Sequence, residues 1–590
     1  MSEALAAPAP ARFPFARVAL VWAGLCAIIL LVNLGGILQR KFPDPDDMLR
    51  LVQVRDLLAG QGWFDLHQYR IDPPEGVLMH WSRLVDIPLA ATIGMLTPLI
   101  GQAGAEMTAM IAVPLLTLGA IMFVAARIAA RFFDTEAVTF VCLSLGLSPL
   151  LVAQIQPLRI DHHGWQIFSV VVALLGLLPG RGAKGAALSG AALAFGLSIS
   201  LEVLPIMAAF GGAFGLRWLL ERDSRSLPAF LAALTGSLVV LFLATRGVAD
   251  LAAHCDAVSP PYLGLLALVT ALVAGIAWLR PRSPAVLVGL LGAAGAAGLA
   301  LFLASAPQCS SGPFAGLDPL VREFWYEKVL EGLPFWRINL LLSIPVVIGG
   351  AIALGVLAHF ARHRAPAERR WWLEYLLVAT IAYLTALLVW RSQGFVGALS
   401  AIPLGWLALQ LLARLRTASG NWRKLAAGLT VILVLLPAFP AAVARTLVNE
   451  ETVGTGKLKK VSESECEMMD HTAKLDRFAP ATIFAPLDIG PAIVEMSHHR
   501  VVATGHHRGE AAMRDVIAAF TGTPEQAHAQ IRRHGARYVV ICTDLYEVEL
   551  FVYKSPGSFA EALSEERAPA WLERIDIGAP EKLQVWRVKS

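Results

Sequence analysis

Thirteen apolar runs of about 20 residues dominate the sequence, near 18–39, 105–130, 137–155, 165–180, 184–201, 203–221, 227–245, 261–279, 284–305, 337–361, 372–391, 393–415 and 424–445. Runs of that length match what a helix needs to cross a bilayer. Lipid offers no hydrogen bonds, so each run must satisfy its own backbone, and helices do this within one segment. Composition agrees: 56% of the 590 residues are hydrophobic and only 16% are charged, against about 25% charged in a soluble domain. Mean hydropathy is +0.60. The expected fold is a polytopic α-helical membrane protein with about 13 transmembrane helices.

The basic residues set its orientation. Arg12/Arg17, Arg127/Arg131, Arg181/Lys184, Arg217/Arg222/Arg225, Arg280/Arg282, Arg362/Arg364/Arg369/Arg370 and Arg414/Arg416/Arg423/Lys424 fall in alternate loops, the bias of a cytoplasmic face. The alternation holds only if the apolar stretch 85–103 is not a span, so that stretch is expected to be re-entrant or interfacial. The first run, Val18 to about Leu38, is long enough to stay in the membrane, and no small-residue cleavage site marks it as a signal peptide. The N-terminus is then cytoplasmic. The outer side of what is expected to be a bacterial inner membrane receives the first loop (40–104), the loop around 155–165, the loops at 246–260 and 306–336, and the tail from about 446. A formal charge of +4 that is spread over short clusters, and not along one face, argues against nucleic acid as a partner.

The tail is polar. Short β-type runs, Ala481–Phe484, Arg500–Val502 and Tyr538–Ile541, alternate with helical patterns at 510–520 and 524–534, which predicts a small periplasmic α/β domain over 446–590 behind a membrane domain over 1–445. Cys255 and Cys309 lie in outer loops and Cys466 and Cys542 in the tail. Each pair can form a disulfide in an oxidising compartment, or stay as free thiols, while Cys26 and Cys142 fall inside spans.

Four groups of polar residues stand out on the outer side. Asp44, Asp46 and Asp47 give three acids in four residues, suited to a hard cation such as Mg²⁺ or Mn²⁺, or equally to the start of a helix over Met48–Val54. In the loop Ile155–Trp165, Asp161 and His163 alternate and in an extended loop face one centre; interfacial polarity anchored by Trp165 is the other reading. Glu323, Glu327 and Glu331 recur every four residues, the spacing of one helix face. Arg391 closes a span with no acid nearby in sequence, where it either snorkels to the interface or grips a lipid-carrier phosphate. The tail adds two histidine pairs, Ser497–Arg500 and Gly505–Arg508. Of these, His506, His507 and Arg508 read either as interfacial polarity or as an anion site that brings the tail over the membrane domain.

With these residues assembled, the chain resembles the catalytic subunit of oligosaccharyltransferase and, more widely, the membrane glycosyltransferases of the GT-C fold. Asp44-Pro45 with Arg50, Trp63-Phe64-Asp65, and Pro74-Glu75-Gly76 with His80-Trp81 follow the order of the family's first-loop elements, and Asp161-His162-His163 is similar to the Asp-His-His of archaeal members. Lys328-Val329-Leu330-Glu331 looks like a form of its Ser/Thr-Val/Ile-Xaa-Glu element that lacks the hydroxyl, and Arg391 matches the arginine that contacts the lipid-linked phosphate. The resemblance implies Asp44 and Glu331 as catalytic acids, with Glu323 and Glu327 as substitutes for the latter. It implies Asp44, Asp161 and His163 as ligands of Mg²⁺ or Mn²⁺, and Arg391 with Arg50 at the donor phosphate. Asp46, Asp47 and His162 remain secondary candidates. The Trp-Trp-Asp-Tyr-Gly element for protein acceptors is absent, since Trp371-Trp372 continues Leu-Glu on the cytoplasmic side.

The implied activity is glycosyl transfer from a polyprenyl phosphate or diphosphate donor to a glycan, lipid or protein acceptor outside the cytoplasm. A transporter or flippase of lipid-linked sugars is the alternative. The charges lie in outer loops and not at mid-membrane, which weighs against it.

Overall fold

The computed structural model describes residues 13–417, 420–436 and 464–589. Ten helices among these residues are long and apolar enough to cross a membrane, from Phe15–Val32 to Trp390–Thr417. Thr135–Gly146 and His163–Gly176 are shorter apolar helices. Asn421–Leu435 is the described part of the last expected run, and residues 437–463, which hold the expected boundary at 445, lie outside the described residues.

Local chemistry sets the helix ends. Ser259-Pro260 and Ser283-Pro284 open helices with proline at the first position, where its missing N–H costs nothing and its fixed φ is already helical. The run expected over 137–155 is helical only to Gly146 and again over Pro149–Val152. Residues beyond it turn back as a loop that carries Arg159 and Asp161. The stretch expected to be re-entrant or interfacial is the first half of the helix Arg83–Ala129, which is interrupted at Gly101 (φ 74°, ψ 166°), a conformation that favours glycine. Both halves pack on the first-loop helix Pro45–Leu58: Leu89 and Ile93 before the break and Ala105 and Ala109 after it share a cluster with Leu51 and Val54.

Helices Gly182–Ile199, Ser226–Thr245 and His163–Gly176 form the packed centre. A Cβ on Gly190 would lie 2.2 Å from the Phe230 carbonyl oxygen, so glycine there lets two backbones touch. Near the opposite ends of the spans, Trp371 and Trp372 are buried among Phe132, Phe133, Phe360 and Tyr375.

The first loop carries a two-stranded ribbon, β1 (His67–Gln68) and β2 (Val77–Leu78). The tail is an α/β unit on a five-stranded sheet. Its strands are β3 (Thr482–Phe484), β4 (Arg500–Val501), β5 (Tyr538–Cys542), β6 (Leu572–Ile575) and β7 (Leu583–Val588), in the order β4-β3-β5-β7-β6. The first three strands are parallel, and β7 runs antiparallel to β5 and β6. The expected strands and the helices Glu510–Thr521 and Pro524–Arg533 are present, the second opened by a Thr523/Gln526 capping box. Both candidate cysteine pairs, Cys255–Cys309 and Cys466–Cys542, are disulfide-bonded.

The tail is fastened to the first loop. Ile71 bridges Val501 at the β4 edge, Asp72 N–H donates to the Val501 carbonyl at 3.0 Å, and Val501 N–H donates to the Arg70 carbonyl at 2.8 Å. Arg40 and Arg55 both reach Glu495, at 3.0 and 2.9 Å.

Candidate active site

The site is built where the first-loop helix meets the loop before His163. Asp44 caps that helix, accepting the Asp46 N–H at 2.9 Å, and Asp46 and Asp47 occupy its first turn, where the helix dipole favours acids. The helix-start reading of these residues is therefore correct, and it does not exclude a site. The other Asp44 oxygen lies 3.1 Å from Arg159 Nη1.

Asp47 is fully buried. One of its oxygens accepts the N–H groups of Ile160 and Asp161, at 2.8 and 2.9 Å, and the other accepts from Arg159 at 3.1 Å. Leu158 (φ 69°) sits in the left-handed region, strained for a side chain with a Cβ, at the turn that presents Arg159 to Asp161 to the helix. Arg159 also lies 3.2 Å from Glu331, so a single guanidinium joins Asp44, Asp47 and Glu331.

Asp161 lies between imidazoles and a guanidinium. His162 Nδ1 is 2.6 Å from one oxygen and His163 Nε2 is 3.5 Å from the other, while Arg50 Nη2 bonds Asp161 at 3.2 Å. Candidate ligand atoms of Asp161, His162 and His163 lie within 4.8 Å of one another. His162, given only a secondary place by the sequence, thus belongs to this group together with Asp161 and His163; Asp44 is not among these three and faces Arg159.

Arg50 does not sit where a donor phosphate would need it. It is fully buried, with Nη1 on Asp86 at 3.1 Å and its guanidinium 4.5 Å above the Trp81 ring. Both terminal nitrogens are committed to carboxylates, so its place is behind Asp161.

The expected glutamate face is also redrawn. Residues 319–332 form a helical turn and two separate 3₁₀ turns, so the three glutamates diverge. Glu331 joins Arg159, Glu323 pairs with Lys554 of the tail, and Glu327 is exposed outside the cluster. Arg391 sits in a 3₁₀ turn with Nε 2.6 Å from Glu202 Oε1 and is about a third exposed. Glu202 was not among the sequence candidates, because it lies at the head of an apolar run 189 positions from its partner.

Charge balance separates the carboxyls. Burial alone would raise Asp161, but the adjacent His162 and His163 and Arg50 outweigh it and hold the group well below the usual range. Burial, followed by the charges of Asp44, Asp161 and Glu331, raises Asp46 well above the carboxylate range. Burial and then Asp44 push Glu331 up to about 7, and burial pushes Asp47 up to about 8 against the pull of Arg159. Negative charge is thus in surplus, as in a site that receives a cation. From the tail, Asp488 is raised to about 6 by burial and then by the charge of Asp44.

The remaining candidates hold the tail in place. His507 Nε2 and the Arg508 guanidinium converge on Asp256 in the loop between Ser226–Thr245 and Pro260–Leu279, at 2.7 Å for His507 and at 2.8 and 2.7 Å for the two Arg508 nitrogens. His506 Nε2 meets His80 Nδ1 at 2.9 Å. Of the other histidine pair, His499 is buried against the Leu475 carbonyl and His498 contacts the Phe478 carbonyl, both inside the tail.

No family model and no curated protein matches the sequence. Among solved structures the chain is similar to the archaeal oligosaccharyltransferase AglB from Archaeoglobus fulgidus. In complex with an inhibitory peptide and a dolichol-phosphate, that protein gives a TM-score of 0.64 at 12% identity, covering 94% of this chain and 72% of that one. Its apo form gives 0.63 at 14% identity over the same shares, and its complex with zinc and sulfate gives 0.59 at 14% over 96% and 73%. The chain therefore has the GT-C fold that the resemblance implied.

Proposed function

We propose that this chain is a membrane glycosyltransferase that moves a sugar or oligosaccharide from a polyprenyl phosphate or diphosphate to an acceptor on the non-cytoplasmic side. The observation that carries this reading is the convergence on Arg159 of Asp44, Asp47 and Glu331, with Asp161 adjoining, from three loops far apart in sequence. The similar archaeal protein, captured with a dolichol-phosphate and separately with zinc and sulfate, supports a lipid-linked donor and a metal. In this reading the protein sits in a bacterial inner membrane with a cytoplasmic N-terminus, and residues 446–590 are a periplasmic domain.

The group Asp161, His162 and His163 fits a divalent cation, Mg²⁺ or Mn²⁺, and would hold it, with Asp44 and Asp46 as neighbouring carboxylates that add negative charge to the cluster. Such a cation supplies charge neutralisation at the leaving phosphate. His162 and Arg50 keep Asp161 ionised as a ligand. Glu331, poised near neutrality, accepts the proton of the acceptor nucleophile as its bond to the anomeric carbon forms and the carbon–oxygen bond to the carrier phosphate breaks. Arg391 holds the carrier phosphate, and Glu202 fixes the direction of its guanidinium. The tail, fastened to the first loop through Val501, closes the acceptor side.

Mass spectrometry of lipid-linked sugars and surface glycans from parent and deletion strains, repeated with Asp44→Ala and Asp161→Ala, tests the reading. Loss of one glycan with build-up of its lipid-linked precursor is expected. Unchanged glycans in both variants would overturn it, and movement of the lipid-linked sugar across the membrane without any product would favour a transporter.

A further inference from the structure

Apart from the acidic cluster, three imidazoles meet at the seam between membrane domain and tail. His80 follows β2 in the first loop, and His506 and His507 follow β4 in the tail. Their ring centroids lie 5.0, 4.9 and 5.1 Å apart, and one nitrogen from each falls within 4.8 Å of the others. We propose that His80, His506 and His507 form a second metal site, for Zn²⁺, which ties the tail to the first loop.

The chemistry of the three rings supports a metal over a plain polar contact. His80 Nδ1 and His506 Nε2 lie 2.9 Å apart, a contact that a shared cation replaces by taking a lone pair from each ring. Buried His506 Nδ1 has no hydrogen-bond partner, an unmatched group of the kind protein interiors rarely keep. His507 donates from Nε2 to Asp256 at 2.7 Å, which leaves Nδ1 as its lone-pair nitrogen. A metal-bound histidine whose second nitrogen donates to a carboxylate is the usual supporting arrangement. Arg508 holds that carboxylate through two nitrogens, at 2.8 and 2.7 Å, and so fixes the acceptor for His507. The positive charge of Arg246, 2.6 Å from the His80 carbonyl, is matched by Asp250 at 2.7 Å.

Three imidazoles select a borderline cation such as zinc over Mg²⁺, which prefers oxygen ligands, and they leave a fourth position for water. The two clusters are therefore chemically distinct, and Trp81 touches a residue of each surround: the Arg50 guanidinium lies 4.5 Å from its ring, and His506 packs on it at 5.6 Å in a T-shaped arrangement. Ligands that lie more than 400 positions apart meet only in the folded protein, as the 426-residue separation of His80 and His506 shows. Zinc then binds the docked arrangement alone and stabilises it. This site does not depend on the glycosyl-transfer reading.

The test uses purified full-length protein, stripped with a chelator and reloaded with Zn²⁺ alone. Asp161→Asn is the background, so that the acidic cluster contributes less. One zinc per chain is expected to remain after gel filtration, and to drop at least tenfold when His80→Ala or His507→Ala is added. Reloading the Asp161→Asn protein with Co²⁺ is expected to give the visible absorption of a low-coordinate nitrogen site, a readout that needs none of the three histidines to be changed. Zinc retention unaffected by either histidine substitution, or no such Co²⁺ band, overturns the proposal.

Discussion

Asp47 in the first-loop helix accepts the backbone N–H of Asp161 at 2.9 Å, joining residues 114 positions apart. The same oxygen takes the N–H of Ile160 and the other takes Arg159, so one buried carboxyl sets the height of the whole loop against the helix N-terminus. The residues that carry Asp161 and its imidazole neighbours are thereby tied to the first-loop helix.

Removing that support should loosen the site before it touches chemistry. Asp47→Ala leaves two buried N–H groups and Arg159 short of an acceptor, at about 1–3 kcal/mol for each unmatched group. Thermal unfolding in detergent should show a clear fall in Tm, and a smaller one for Asp47→Asn, which keeps an acceptor oxygen. Equal stability of Asp47→Ala and the parent would show that the loop is held by something else.

Asp161→Asn keeps the volume of the side chain and removes its charge. Transfer from a polyprenyl-linked donor is expected to slow by at least about 100-fold, with the protein still eluting as a single folded species. A variant as active as the parent would take Asp161 out of the reaction.

The raised carboxyls give metal binding a pH dependence. At pH 6 Glu331, at about 7, and Asp47, at about 8, are largely protonated, and Asp46 is held higher than an ordinary carboxyl. A cation entering the cluster displaces protons, so affinity for Mn²⁺ should tighten from pH 6 to pH 8. Calorimetry in two buffers of different ionisation heat measures the protons released. The sign for stability is opposite: these folded-state values lie above the unfolded ones. Without metal the stability they contribute is complete below the normal carboxylate range and is lost as pH rises through about 7 to 8.

Arg391→Lys retains the charge but loses the planar fork that meets a phosphate. An increase in the donor KM of about tenfold with a smaller change in kcat is the expected pattern. Glu202→Gln, which releases the guanidinium from its 2.6 Å partner, should shift the same parameter. A fall in kcat alone would place Arg391 at the reacting atoms and not at the carrier.

Much of the fold is legible in the sequence because hydropathy acts over one segment at a time. A run such as Ser226–Thr245 must be a helix in lipid whatever surrounds it, and Thr523-Pro-Glu-Gln526 marks a helix start through contacts no longer than one turn. Where the reading slipped, the cause is equally local. Glu323, Glu327 and Glu331 have helical spacing, but Gly332 and Pro334 follow closely and the segment breaks into short turns, so spacing no longer means a shared face.

By itself the sequence determined the spans, the cysteine pairs available for oxidation, and the presence of Asp44, Asp161, Glu331 and Arg391 in loops rather than in lipid. Only the tertiary structure decided which charges meet. It made Arg159 the common partner of three acids, buried Arg50 behind Asp161, supplied Glu202 to Arg391, and carried His506 and His507 across to His80 and Asp256. The physical reason is range. Burial in a membrane is settled residue by residue within one segment, whereas an ion pair exists only when packing brings two distant side chains within about 4 Å and removes the water between them.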